Sequence, residues 1–383
     1  MIVDSSNELF SKAYVLYDIT DGKLLYENNQ NERREIASLT KIMSSIVAIE
    51  NNYDLDKKVT ITQDMLNTVP NDAYIIHLKD GDEVTIRDLL YGTLLPSGAD
   101  AVNSLAIVTS GSIEEFVKKM NEKANSLGLN DTLFHDPIGM DSVGSYSTAN
   151  DVYKLLKYSL ENERFKEIFE TKSYKLTNDM EVYNSSMMFG KQINLDTSRI
   201  VGDKTGYTTP AEFCIAYEFI SHEHTYYSVL LGAPVEDFKD FKHIRDALNI
   251  IDYVDNNYDY YTLVEDNSLY KTINVVNSSI NEYNVYNDKE IKLLLEKEDN
   301  KNIRIEDDLP NEISYLNKKG ETIGNLKYFY NDELLYERSV TLNIDINPNT
   351  TEYLKIHKFE LLTLGLIVIV LISIIIYWIK RHK

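Results

Sequence analysis

Cysteine occurs once in the 383 residues, as Cys214, which excludes an intrachain disulfide and any zinc centre built on thiolates. Cys214 lies in an apolar run and reads as a buried small hydrophobe. Positive charge is scarce. Lys and Arg number 39 against 61 Asp and Glu, a net charge of -22, and no basic stripe runs along any segment. A phosphate-tracking protein needs such a stripe, so nucleic acid is not an expected partner. The seven histidines show no ligand spacing; His222 and His224 fall in an expected hairpin turn, where solvation is the simpler reading. Nothing in the pattern calls for a metal or a cofactor. The opening MIVDSSNELFSKAYVL lacks a basic stretch followed by an apolar one, so no secretory signal is visible in it.

Long hydrophobic runs are also missing, with one exception. LLTLGLIVIVLISIIIYWI, residues 361–379, carries no charge over 19 positions and would span roughly 28 Å as a helix, close to the hydrocarbon thickness of a bilayer. A buried core helix usually keeps a polar face and this run has none. It is expected to be a transmembrane anchor, with Tyr377 and Trp378 at the interface. Lys380, Arg381 and Lys383 behind it favour a cytoplasmic tail, although Lys355 and Lys358 in front weaken that asymmetry.

The rest has ordinary globular composition, 43% hydrophobic and 26% charged, and a length that suits two folded domains. Residues 12–31 alternate around Asp21-Gly22 as a hairpin. Apolar positions 36, 39, 42, 43, 46, 47 and 49 repeat at helical spacing. Residues 86–108 read as two helices parted by Pro96-Ser97-Gly98, and 112–127 and 148–171 as amphipathic helices. After position 200 the runs EFCIAYEFI and TYYSVLLGA predict a buried antiparallel pair, with a helix over 237–257. This order suggests one α+β domain over 10–257. Residues 262–350 are rich in short alternating runs and Asn, Asp and Gly turns, and are expected to form a small β domain leading into the 361–379 anchor.

Three short motifs could carry chemistry. Ser38-Leu39-Thr40-Lys41 places a hydroxyl and an amine at i and i+3, one above the other on a helix. A serine needs a neighbouring base, and a lysine serves when burial or another cation lowers its pKa. The pattern alone is weak, because Ser268-Leu269-Tyr270-Lys271 repeats it in a segment that reads as strand, where i and i+3 point apart. Ser97-Gly98-Ala99-Asp100, between two helices, offers a serine that could relay a proton. Lys204-Thr205-Gly206 opens a strand and, as an exposed edge, could present a cation and a hydroxyl to an anionic extended peptide.

In this order the three motifs match the signature of the penicillin-recognising serine enzymes. The likeness extends through AYVLYDITDGKLLYENNQNERREIASLTKIMSSIVAIE, DLLYGTLLPSGADAV, FHDPIGMD, YSTANDVYKLL and VGDKTGYTTPAEFCIA. Residues 12–257 resemble the D-alanyl-D-alanine carboxypeptidases, the low-molecular-mass penicillin-binding proteins. The resemblance implies a transpeptidase-like fold, an antiparallel sheet with a helical subdomain, followed by a β domain and a membrane anchor. It also implies that Ser38 attacks the penultimate D-alanine carbonyl of a peptidoglycan stem peptide ending in D-Ala-D-Ala, with Lys41 as base and Ser97 shuttling the proton. Lys204, Thr205, Gly206 and Thr208 would bind the substrate's end, and the backbone N–H groups of Ser38 and Tyr207 would form the oxyanion hole. β-Lactams would acylate Ser38 as covalent inhibitors. Such a substrate lies outside the cell, so a bacterial single-pass membrane protein with an extracytoplasmic catalytic domain is expected, its signal peptide upstream or removed.

Two departures stand out. The family's second motif usually ends in asparagine where this chain has Ala99, and a methyl replaces none of the amide's hydrogen bonds. The basic residue that often assists carboxylate recognition could be Lys239, Lys242 or Arg245. A β-lactamase or esterase on the same scaffold stays open at this point, as does a silent wall-binding module. The first would need a carboxylate poised to activate water, for which Asp136 and Asp141 offer no defined pattern.

Overall fold

The computed structural model describes residues 9–140, 144–237 and 239–382; Asp141 and Lys383 lie outside them. The chain divides into two compact units between Asn257 and Tyr258.

The first unit opens with the hairpin β1 (Ala13–Asp18) and β2 (Lys23–Asn28), then α1 (Thr40–Asn51), β3 (Lys58–Thr60), α2 (Gln63–Leu66) and β4 (Glu83–Thr85). The helices α3 (Ile86–Leu94), α4 (Ala99–Ser110), α5 (Ile113–Ser126), α6 (Ala149–Leu160) and α7 (Glu163–Glu170) follow. After the short hairpin β5 (Ser173–Lys175) and β6 (Glu181–Tyr183) come α8 (Ser185–Gln192), β7 (Ile200–Thr208), β8 (Glu212–Ser221), β9 (His224–Ala233) and α9 (Lys242–Asn257). Five of the strands form one antiparallel sheet in the order β2-β1-β9-β8-β7, which leaves β7 at an edge. Every residue of β8 from Phe213 to Phe219 is buried, so both faces of the sheet are covered. That explains why β8 and β9 read as continuous apolar runs rather than alternating ones. The core joins Val15, Ala216 and Val229 of the sheet to Ile42 and Ile46 of α1, Leu105 of α4, Phe116 of α5 and Leu156 of α6.

Local chemistry sets the helix ends. Asn162 breaks the segment expected as one helix over 148–171: its side chain accepts from the N–H groups of Arg164 and Phe165 and starts α7 anew. The closing helix begins at Lys242 rather than 237. The hairpin β5–β6 and helix α8 have no counterpart in the sequence pattern, because their apolar positions are too few and too short to show a period. His224 is not solvated: it is 6% exposed, and its Nδ1 lies 2.6 Å from Asp18 Oδ2. Cys214 is fully buried, and burial pushes its thiol up to about 12.

The second unit starts at Tyr258, four residues before the expected 262, because a strand follows α9 directly. Its strands are β10 (Tyr258–Val264), β11 (Leu269–Val276), β12 (Glu282–Tyr286), β13 (Ile291–Glu296), β14 (Arg304–Asp307), β15 (Glu312–Ser314), β16 (Thr322–Tyr330) and β17 (Glu333–Thr341). They pair as β10-β13, β12-β11-β15 and β14-β16-β17 over a core that includes Ile273, Val285, Leu326 and Tyr328. The second S-x-x-K copy falls here and is dismantled: Ser268 Oγ donates to the Glu265 carbonyl at 2.6 Å, and Lys271 pairs with Asp307 at 2.8 Å. Helices α10 (Thr350–Ile356) and α11 (Lys358–Arg381) close the chain. The 361–379 run lies inside the 24-residue α11, in which no described residue is buried.

Helix α3, which leads to the Ser97 turn, is started by a reciprocal cap. Thr85 Oγ1 accepts from the Asp88 N–H at 3.0 Å, and the Asp88 carboxylate accepts from the Thr85 N–H at 2.8 Å. Thr85→Ala should lower the unfolding free energy of this unit by about 1 kcal/mol in urea titration; an unchanged midpoint would show that the cap contributes nothing.

Candidate active site

The residues just ahead of α1 form a tight turn, Ala37–Leu39, rather than helix proper. Ala37 sits there at φ +46°, a left-handed conformation that costs an alanine about 1–3 kcal/mol. The turn presents Ser38 half-exposed while Lys41, one turn on, is 1% exposed. The Lys41 amine is 2.9 Å from Ser38 Oγ and donates to the Ile138 carbonyl at 2.7 Å. In its neutral form, with one hydrogen on that carbonyl, such an amine has a lone pair free to accept a proton.

The Ile138 carbonyl is held in place by the turn Asp136-Pro137-Ile138-Gly139, for which the sequence pattern predicts no role. Asp136 Oδ1 accepts from the N–H groups of Ile138 at 2.8 Å and Gly139 at 2.6 Å, and Ser44 Oγ donates to the Pro137 carbonyl at 2.7 Å. Gly139 takes φ +82°, and a Cβ there would stand 1.9 Å from the Ala37 carbonyl oxygen. Only glycine lets this turn close against the strained alanine. Asp136 is thereby committed to backbone donors. The Asp-Pro-x-Gly pattern was the available signal, as turn chemistry.

From the other side the edge strand β7 approaches. A Cβ at Gly206 would lie 2.9 Å from the Ser38 nitrogen, so this glycine lets the strand backbone pass beside the serine. Lys204 is not the exposed lysine the motif suggested. It is fully buried, and its amine donates to the Thr205 carbonyl at 2.7 Å. Thr205 is 5% exposed, its hydroxyl 2.6 Å from that of Ser185 on α8. The reason is α8, which the sequence pattern did not reveal and which packs against β7.

Burial is the largest influence on both lysines. It lowers Lys204 from 10.5 to about 7, against the pull of neighbouring Asp203. It drives Lys41 well below 10.5, and the positive charge of Lys204 lowers it further, against Asp136 and Asp100. A like charge in a low-dielectric interior adds to the effect of burial in disfavouring the ammonium form of Lys41.

The third side comes from the α3–α4 connection. Ser97 takes φ +73°, and Ala99 begins α4 with its methyl among Val102 and Ile138. Asp100, two per cent exposed, accepts from the N–H groups of Ile76 at 2.9 Å and Leu78 at 3.0 Å, tying residues 74–78 beside the serine loop. Ser38, Lys41, Ser97, Ala99, Tyr207 and Thr208 all line one cavity of about 730 Å³. Gly206 joins them, whereas Lys204 and Thr205 stand behind the wall. Among the described residues the lining does not include Lys239, Lys242 or Arg245; Lys242 is paired with Glu236 at 3.0 Å and Arg245 with Asp240 at 2.7 Å.

Such an arrangement suits acyl transfer: a hydroxyl, a buried amine of lowered pKa beside it, a second hydroxyl on a facing loop and an edge strand for an extended substrate. Comparison with known proteins points the same way. Residues 2–235 match the family described as D-alanyl-D-alanine carboxypeptidase, and residues 258–347 the C-terminal domain of penicillin-binding protein 5. D-alanyl-D-alanine carboxypeptidase DacF of Bacillus subtilis is 30% identical over 348 residues, 88% of this chain and 86% of its own length. DacD of Escherichia coli is 31% identical over 238 residues, and the match takes in 59% of each chain. Among solved structures, the DD-transpeptidase of Streptomyces K15 superposes with a TM-score of 0.58 at 29% identity, over 64% of this chain and 97% of its own. Penicillin binding protein 5 from Haemophilus influenzae reaches a TM-score of 0.63, covering 91% of this chain and all of its own; at 21% identity that likeness is one of fold.

Gly139→Ala pushes the turn off Ala37 and removes the carbonyl that orients Lys41. Acylation of Ser38 by a fluorescent penicillin should fall about 10²-fold, as for an ångström-scale misplacement of a catalytic group. A rate within twofold of wild type would show that the turn does not position the base.

Proposed function

This chain belongs to the D-alanyl-D-alanine carboxypeptidase family, a family of serine hydrolases, and from that membership we propose that it removes the terminal D-alanine from peptidoglycan stem peptides through an acyl-enzyme on Ser38. The observation that carries the assignment of roles is the 2.9 Å approach of a buried, proton-poor Lys41 to the Ser38 hydroxyl. Lys41 takes the hydroxyl proton as Ser38 Oγ bonds to the carbonyl carbon of the penultimate D-alanine. The oxyanion so formed is met by the backbone N–H groups of Ser38 and Tyr207, at the point where β7 passes the serine turn; each such donor is typically worth about 10²–10³ in rate. The intermediate collapses by breaking the C–N bond, and the proton held on Lys41 returns to the leaving amine by way of Ser97. Free D-alanine departs. Water then adds to the ester carbonyl, giving its proton back through Lys41, and the shortened peptide leaves with Ser38 restored.

Lys204 enters this scheme through its field. From behind the wall it keeps Lys41 proton-poor and draws the substrate's terminal carboxylate toward Thr208, whose half-buried hydroxyl stands at the cavity. Ala99 offers the cavity a methyl, so substrate contacts that an amide would make there fall to backbone and neighbouring groups. The second unit and α11 fit a spacer and anchor: α11 is long and apolar enough to cross a bilayer, with Lys380 and Arg381 at its end. On this reading the catalytic unit works outside the membrane of a bacterial cell, where its substrate is.

Purified full-length protein should release D-alanine from a pentapeptide ending in D-Ala-D-Ala and take up a fluorescent penicillin, and Ser38→Ala should abolish both. Labelling that persists in Ser38→Ala would overturn the assignment.

The pH dependence has a definite sign. Protonated Lys41 cannot accept the serine proton, so the acylation rate rises with pH along a limb lying well below the ordinary lysine value of 10.5. Lys204→Gln removes the like charge that helps lower Lys41. The limb should move to higher pH in penicillin-acylation profiles; a limb that stays or moves lower would refute the coupling.

A further inference from the structure

The cavity is lined by more residues than those assigned to the scissile bond, and four of the others have a chemistry that the reaction leaves unused. Two segments from different parts of the chain line it with the same pair of residue types. Asp72 and Tyr74 come from the stretch that Asp100 pins beside the serine loop; Glu181 and Tyr183 come from β6. All four side chains are exposed, with Tyr74 at 64% and Tyr183 at 38%. On β6 residues two apart share a face, and the Tyr183 hydroxyl donates to Glu181 Oε2 at 2.5 Å. The lysine opposite Glu181 on β5, Lys175, has Asp179 as its main partner at 2.6 Å and feels Glu181 more weakly.

A carboxylate beside an open aromatic ring is a combination that favours a cation, which gains an ion pair from one and the ring's negative face from the other. Glu181 and Tyr183 make such a pair on β6, and Asp72 and Tyr74 bring the same residue types to the wall of the same cavity. The carboxylates and the amines thus come to the site from different segments, 72–74 and 181–183 for the first, and Lys41 with Lys204 behind the wall for the second.

We propose that Asp72/Tyr74 and Glu181/Tyr183 form a cation subsite that selects stem peptides carrying a free side-chain ammonium upstream of D-Ala-D-Ala, in preference to peptides whose amine is acylated. The inference rests on the carboxypeptidase reading and adds substrate choice to it. A peptide whose side-chain amine has been consumed by crosslinking presents a neutral amide and loses both contacts, so the enzyme acts chiefly on uncrosslinked stems. The contacts are made in ground state and transition state alike, so the preference resides in KM.

The test compares D-alanine release from Nα-acetyl-Lys-D-Ala-D-Ala and from the same peptide acetylated at the side-chain amine, using full-length protein with active sites counted by fluorescent penicillin. The free-amine peptide should have the higher kcat/KM. Exposed charge pairs are modest, so Asp72→Asn and Glu181→Gln should each reduce that ratio about two- to fivefold, and the double variant about tenfold. The ratio should shrink with added salt and be retained in the charge-preserving Asp72→Glu and Glu181→Asp. Because it is internal to each preparation, partial loss of folded enzyme cancels. Equal kcat/KM for the two peptides in the wild type, or a preference that survives the double variant, overturns the subsite while D-alanine release still stands. Absence of release from both peptides, together with absence of penicillin labelling, overturns the carboxypeptidase reading and the subsite with it.

Discussion

The site depends on burying two lysines, one of which feels the charge of the other. An isolated ammonium in a protein interior is so costly that the group gives up its proton instead, and a second one nearby makes the surrender easier. Lys41 and Lys204 are both closed off from solvent, one on the first turn of α1 and the other on the edge strand β7. Burial first, and then the charge of Lys204, hold the Lys41 amine beside Ser38 well below the ordinary lysine value. Asp203 next to Lys204 and Asp100 and Asp136 near Lys41 moderate the effect and bias which lysine keeps a charge.

Much of the surrounding architecture exists to keep that arrangement from relaxing. The strained Ala37 would flatten if the chain were free to move, and Gly139 of the facing turn packs against its carbonyl at a distance no side chain would permit. Asp136 and Asp100 each spend their carboxylates on backbone N–H groups, one holding the carbonyl that orients Lys41 and the other the segment beside Ser97. Held this way, the reacting groups need little reorganisation when charge develops.

Some of this was legible in the residues. The β1–β2 hairpin, the break at Ser97-Gly98, the buried pair β8–β9 and the apolar 361–379 run all carry local signals: a turn dipeptide, a helix breaker, an uninterrupted apolar run. The pairing of Ser38 with Lys41 followed from helical spacing, and the order of three motifs separated it from the copy at Ser268. Other features left no trace. Helix α8 is short and has no clear period, so the sequence pattern did not announce it, and without it Lys204 looked like a residue on an open edge. The 148–171 segment read as one helix because Asn162 is as acceptable within a polar face as at a cap.

Sequence alone determined which groups were available and which could be neighbours along the chain, because spacing on a helix or strand is a matter of fixed geometry. Tertiary structure decided the state those groups are in. Solvent exclusion, the distance between two charges from segments more than 150 residues apart, and the close approach of Gly139 to Ala37 are properties of packing, and a pKa responds to them rather than to the order of residues.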